Sequence, residues 1–149
     1  MNIITQSIRN EKEYAGLLAN AITQSNSSRP HPMSLTGLCD GASEAFYVEF
    51  VADVKRETGR GVLLICPDEK SQSRLKTAFE SCGKKSLVYP YRDFVFYNIT
   101  ASHEYEHERL NVLYAVKSGD YDVVLATPDA ALQYTVPQEL LSESEFTVD

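Results

Sequence analysis

The chain has 149 residues with 14 Lys and Arg against 21 Asp and Glu, a formal net charge of −7, and 43% hydrophobic residues. That length suits one folded domain with a real core, and the acidic balance argues against a protein whose main work is gripping nucleic-acid phosphates, which takes clustered cations. Its longest apolar runs, Val62-Leu63-Leu64-Ile65-Cys66 and Val123-Val124-Leu125-Ala126, fall far below the roughly 20 residues needed to cross a bilayer.

From Glu11 to Gln24, Tyr14, Leu17, Leu18, Ala21 and Ile22 recur at helical spacing and predict a helix with one apolar stripe. Ser25 to Pro32 is polar and holds two prolines, Pro30 and Pro32, which mark a connector. Met33 to Thr36 reads as a short first strand. Gly37-Leu38-Cys39-Asp40-Gly41-Ala42-Ser43 then leads into a helix carrying Ala45, Phe46, Val48, Glu49, Val51, Ala52 and Val54, which stops near Thr58-Gly59. Gly61 to Cys66 is the continuous apolar run of a strand buried on both faces, and Pro67-Asp68 signals a helix start. That helix is predicted to reach Cys82-Gly83, followed by a strand over Ser86 to Tyr89, an aromatic segment from Tyr89 to Tyr97, and a helix from Ser102 to Ser118 that buries Leu110, Leu113, Tyr114 and either Val112 or Val116. A fourth strand over Asp122 to Ala126 and a short helix over Asp129 to Tyr134 precede Val136-Pro137 and an acidic tail. In that tail Phe146-Thr147-Val148-Asp149 resembles a strand lacking its partner.

Strands alternating with helices predict an α/β fold of three layers around a parallel sheet. The expected organisation is an N-terminal helix and connector over 1–32, an α/β domain over 33–136, and the start of a following small domain over 137–149. Cys39, Cys66 and Cys82 are odd in number and never spaced Cys-x-x-Cys, which speaks against a disulfide framework or a zinc knuckle. The N-terminal residues lack a basic region followed by an apolar stretch, so the cytoplasm is the expected location and no membrane is an expected partner.

The loop after the predicted first strand sits where a phosphate-binding loop would. With Gly37 aligned to the first glycine of G-x-x-x-x-G-K-[ST], Ala42 takes the second glycine position, Ser43 replaces the phosphate lysine, and Glu44 replaces the magnesium-binding hydroxyl. Asp40 and Glu44 would then flank a triphosphate with no lysine to compensate, and two like charges at about 4 Å repel by about 4 kcal/mol at an effective dielectric near 20. The residues of this vestigial loop, Gly37, Asp40, Gly41, Ala42, Ser43 and Glu44, are therefore not expected to bind nucleotide or catalyse, and a P-loop enzyme domain is the alternative reading. His103-Glu104-Tyr105-Glu106-His107 matches H-E-x-x-H on a helix, the pattern of zinc proteases. With His31 in the connector as the only other histidine, a third ligand is missing, so the zinc-hydrolase reading is remote and an acidic first turn is expected instead. The aromatic segment from Tyr89 to Tyr97 carries a single basic residue, Arg92, which favours packing of Tyr89, Phe94 and Phe96 over base stacking.

Several blocks, in this order and spacing, resemble the start of the bacterial transcription-repair coupling factor family (Mfd). They are Leu35 to Ala42, Val62 to Glu69, Tyr89-Pro90-Tyr91-Arg92-Asp93, Glu108 to Tyr114, and Ala126-Thr127-Pro128-Asp129-Ala130-Ala131-Leu132. The resemblance spans most of the chain from about Tyr14 to Pro137. It implies a fold similar to the first domain of the excision-repair helicase subunit UvrB, with the ATP site lost, in agreement with Ser43 and Glu44. The short passage from Tyr97 to Glu108 leaves little room for the long DNA-probing hairpin of UvrB. By the resemblance this is a non-catalytic interaction and scaffold domain with no cofactor of its own, while ATP and magnesium serve the motor of the longer parent protein, an ATP-dependent DNA translocase. UvrA would be recruited through the adjoining small domain, the motor domains would be met within the same chain, and RNA polymerase and DNA would be met by other domains.

Overall fold

A computed structural model describes residues 3–39, 41–91 and 104–143. Its elements in chain order are α1 (Ile3–Asn10), α2 (Lys12–Ser25), α3 (Ser43–Thr58), β1 (Val62–Ile65), α4 (Glu69–Ser81), β2 (Ser86–Tyr89), α5 (Glu104–Ser118), β3 (Val123–Ala126), α6 (Pro128–Leu132) and α7 (Gln138–Glu143). The chain is α/β, as the alternation of apolar runs predicts. The three strands are all parallel in the order β1-β3-β2, with Val62 and Ser86 both opposite Val123.

Local chemistry explains most boundaries. Gly59 ends α3 in the left-handed region at φ 70, with its N–H on the Lys55 carbonyl. Asp68 caps α4 by accepting from the Ser71 N–H at 2.6 Å, and this bond holds its carboxyl below the usual carboxylate range. Thr127 caps α6 in the same way, with Pro128 at the first helical position, where its missing N–H costs nothing.

The order β1-β3-β2 decides the layering. From β1 to β2 the chain crosses the sheet one way, and from β2 to β3 it returns, so right-handed crossovers place α4 and α5 on opposite faces. On the first face, Val123, Leu125, Cys66, Val62 and Leu64 pack with Val48 and Val51 of α3 and Leu75 and Phe79 of α4. Burial pushes the Cys66 thiol up, so it is an inert packing group. On the second face α5 lies over β2 and leaves the alternate residues of β1, Leu63 and Ile65, 59% and 47% exposed.

Two expectations are corrected. Met33 to Thr36 has no regular structure, and Met33 and Leu35 are each 44% exposed. A strand draws its backbone bonds from a neighbour, and a four-residue segment behind Pro30 and Pro32 has none of its own to offer. The short helix predicted to run to Tyr134 ends at Leu132, with Gln133 extended at φ −72 and ψ 145. Helices α1 and α7 have no counterpart in the sequence reading, and the tail residues Phe146 to Asp149 lie outside the described residues, as do Phe94 and Phe96.

Helix α2 docks on α3 through aromatic edges: Tyr14 meets Phe46 and Phe50 at ring distances of 6.1 Å each, and Phe46 stacks on Phe50 at 5.4 Å. Beneath them Asp53, 2% exposed, accepts from Arg9 Nη2 at 2.6 Å, Arg9 Nε at 3.1 Å, the Tyr14 hydroxyl at 2.8 Å and Arg56 Nη1 at 2.7 Å. One carboxylate thus ties α1, α2 and α3 together.

Close to this network, along a cavity that Arg9 and Arg56 also line, Asp122 precedes β3 and accepts from Lys55 Nζ at 2.9 Å and from the Lys85 N–H at 2.8 Å. Burial alone would raise its carboxyl, but the Lys55 ammonium and the Lys85 N–H outweigh burial and hold it below the usual range. A carboxyl depressed by folding stabilises the protein above its unfolded value, near 4, and loses that contribution as pH falls through the folded value. Asp122→Asn should therefore cost about 1–2 kcal/mol at neutral pH. Urea midpoints for the two proteins should draw together as the pH is lowered below about 4, and a gap that stays constant with pH would refute the assignment.

Candidate functional site at the C-terminal edge of the sheet

Because the strands are parallel, Cys66-Pro67, Pro90-Tyr91 and Thr127-Pro128 all leave the sheet at one edge, the edge at which open α/β sheets bind ligands. Two cavities open there.

The first, about 340 Å³, lies between the start of α3 (Ser43, Glu44, Tyr47) and the start of α4 (Pro67, Ser71, Arg74, Leu75). Ser43 and Glu44 are the end of the segment expected to be a vestigial phosphate loop. Gly37 has φ 86, a conformation that a β-carbon would strain, and Gly41 has open space around it. Ala42 stands at the N-cap of α3 with no side-chain cap, and Asp40 lies outside the described residues. A phosphate-binding loop aims the free N–H groups of this helix end at an anion. Here Glu44 sits in the first turn, paired with Arg74 of α4 and approached at 3.4 Å by the Ser43 hydroxyl. Arg74, which lines the same cavity, is thereby paired with the protein's own carboxylate. The strand that would hold such a loop taut is the one missing at 33–36.

The second cavity, about 520 Å³, lies between α5 (Glu106, Arg109, Leu110, Leu113) and the extended segment Gln133 to Val136. Arg109 is only 8% exposed. Its Nη1 donates to the Pro90 carbonyl at 2.7 Å and to Gln133 Oε1 at 3.0 Å, its Nη2 reaches the Tyr134 carbonyl at 3.5 Å, and its guanidinium lies 4.1 Å from the centre of the Tyr89 ring. The Tyr89 hydroxyl donates to Thr135 Oγ1 at 3.1 Å. Arg109 thus joins the end of β2, helix α5 and the segment after α6. The helical pattern of α5 does not mark it. Sequence reasoning places Leu110, Leu113, Tyr114 and Val112 or Val116 on the buried face; the first three are half-buried, Val112 is buried and Val116 is exposed, and Arg109 is the buried residue it does not place.

Of the two histidines of the H-E-x-x-H match, His107 is exposed on α5 and His103 lies outside the described residues. Among the described residues no group of three or more His, Cys, Asp or Glu is placed to hold a metal ion. Nor is any described helix long and apolar enough to cross a membrane. Compared with protein-family models, with curated proteins and with solved structures, the chain matches none.

Proposed function

We propose that this chain is a non-catalytic interaction and scaffold domain, of the UvrB-like kind found at the start of transcription-repair coupling factors, acting in the cytoplasm. The observation that carries the reading is the Glu44–Arg74 ion pair at the start of α3. It supplies internally the negative charge that a nucleotide phosphate would bring, at a loop lacking the lysine and the hydroxyl that ATP chemistry needs. The order and spacing of the blocks from Leu35 to Leu132 support the family resemblance. On this reading ATP and magnesium belong to a motor elsewhere in a longer protein. UvrA is met through a small domain continuing past Pro137, and RNA polymerase and DNA are met by other domains.

Calorimetric titration with Mg-ATP should be flat. Micromolar binding that a Gly37→Val change removes would overturn the reading in favour of a P-loop enzyme domain. Titrating UvrA against this chain, and against a version continued past Asp149, tests the scaffold role. Weak binding by the first and clear binding by the second is the expected result; equal binding would move the recruiting surface into the α/β domain itself.

A further inference from the structure

Among the described residues Arg109 is the one buried arginine, and none of its hydrogen bonds to them is to a carboxylate. Arg9 pairs with Asp53 and Glu49, Arg56 with Asp53 and Glu57, and Arg74 with Glu44. Arg109 donates only to neutral oxygens, at Pro90, Gln133 and Tyr134. Burying a cation without a counter-charge is costly, and neutral acceptors with an aromatic face offset that cost only in part. A guanidinium has five N–H donors. The Nε–H of Arg109 has no acceptor among the described residues, and the bond from Nη2 is long at 3.5 Å. Nε and Nη2 form the side-on fork that fits a carboxylate in two bonds, as Arg9 shows on Asp53.

The same arginine lines the 520 Å³ cavity whose remaining walls include Leu110, Leu113 and Val136, at the ligand-binding edge of the sheet. We propose that this cavity binds a carboxylate carried on an apolar body, with the anion on the Nε and Nη2 edge of Arg109 and the apolar part against Leu110, Leu113 and Val136. A monoanion fits better than a phosphate. Arg109 supplies one positive charge, which a monoanion balances and a phosphate dianion exceeds. The ligand is either a free organic acid or the C-terminal carboxylate of an apolar peptide end. This site stands apart from the scaffold reading and does not depend on it.

The test uses octanoate, octanamide and an acetylated trileucine as acid and as amide, titrated against the isotopically labelled protein. Octanoate should shift the methyl resonances of Leu110, Leu113 and Val136, and octanamide should bind about tenfold more weakly or less, since a charge-assisted fork is lost. Leu113→Trp should abolish binding of both. This variant leaves Arg109 in place, so the proposal stays testable even if Arg109→Met fails to fold. The stronger of octanoate and the peptide acid identifies the source, and either order supports the site. Equal binding of octanoate and octanamide, absence of shifts at millimolar octanoate, or octanoate binding that survives Leu113→Trp would overturn it and leave Arg109 as a clamp on residues 133–135.

Discussion

Replacing Asp53 with alanine should lower stability by about 3 kcal/mol, a fall of roughly 6–12 °C in the unfolding midpoint for a chain of this size. The carboxylate is 2% exposed, and its loss leaves four donor groups on three side chains without that acceptor. They do not suffer equally. The Arg9 and Arg56 side chains keep 32% and 57% of their exposure and can turn to water, whereas the Tyr14 hydroxyl is buried with Asp53, and burial followed by that hydrogen bond already holds its pKa above the ordinary tyrosine value. For this reason the expected cost sits at the low end of what breaking a buried ion pair entails. Tyr14→Phe with Asp53 intact should cost about 1 kcal/mol, and the double variant should cost less than the sum, because both changes remove the same bond. Chemical denaturation of the four proteins measures this directly. A loss below about 1 kcal/mol for Asp53→Ala would mean that the network behaves as a surface ion pair and does not join the three helices.

Phe79→Ala should cost more, about 3–5 kcal/mol, since it removes a fully buried ring from the centre of the first layer. Its neighbours come from separate elements, Leu75 from its own helix, Val48 and Val51 from α3, and Val123 and Leu125 from the central strand, so no single neighbour can move to fill the space. Leu132→Ala is the matching control: at 86% exposure its change should stay within about 0.5 kcal/mol. If the two variants lost similar stability, the core would not lie where α3 and α4 meet the sheet.

What the sequence determined by itself is the part of the fold written in local chemistry. Gly59, Asp68 and the Thr127-Pro128 pair each carry a stop or a start within a few residues, and the runs Val62 to Ile65, Ser86 to Tyr89 and Val123 to Ala126 became strands with boundaries close to those expected. That Ser43 and Glu44 stand where the phosphate-loop pattern asks for a lysine and a hydroxyl residue was equally legible, because that pattern is a short motif. Tertiary structure alone decided whether an apolar alternation would pair. Met33 to Thr36 has the pattern of a strand, but a strand's hydrogen bonds are made to another segment, and no local signal says whether that segment is there. Burial of charge was invisible for the same reason. Asp53 sits between Ala52 and Val54 and looks like any polar residue on a helix, yet its partner Arg9 lies 44 residues away; Arg109 looks like one more charge beside Glu108, yet its acceptors lie 19 to 25 residues away on either side. Helical periodicity weighs a residue against its own helix, and a buried ion is tolerated only by partners that converge from elsewhere in the chain.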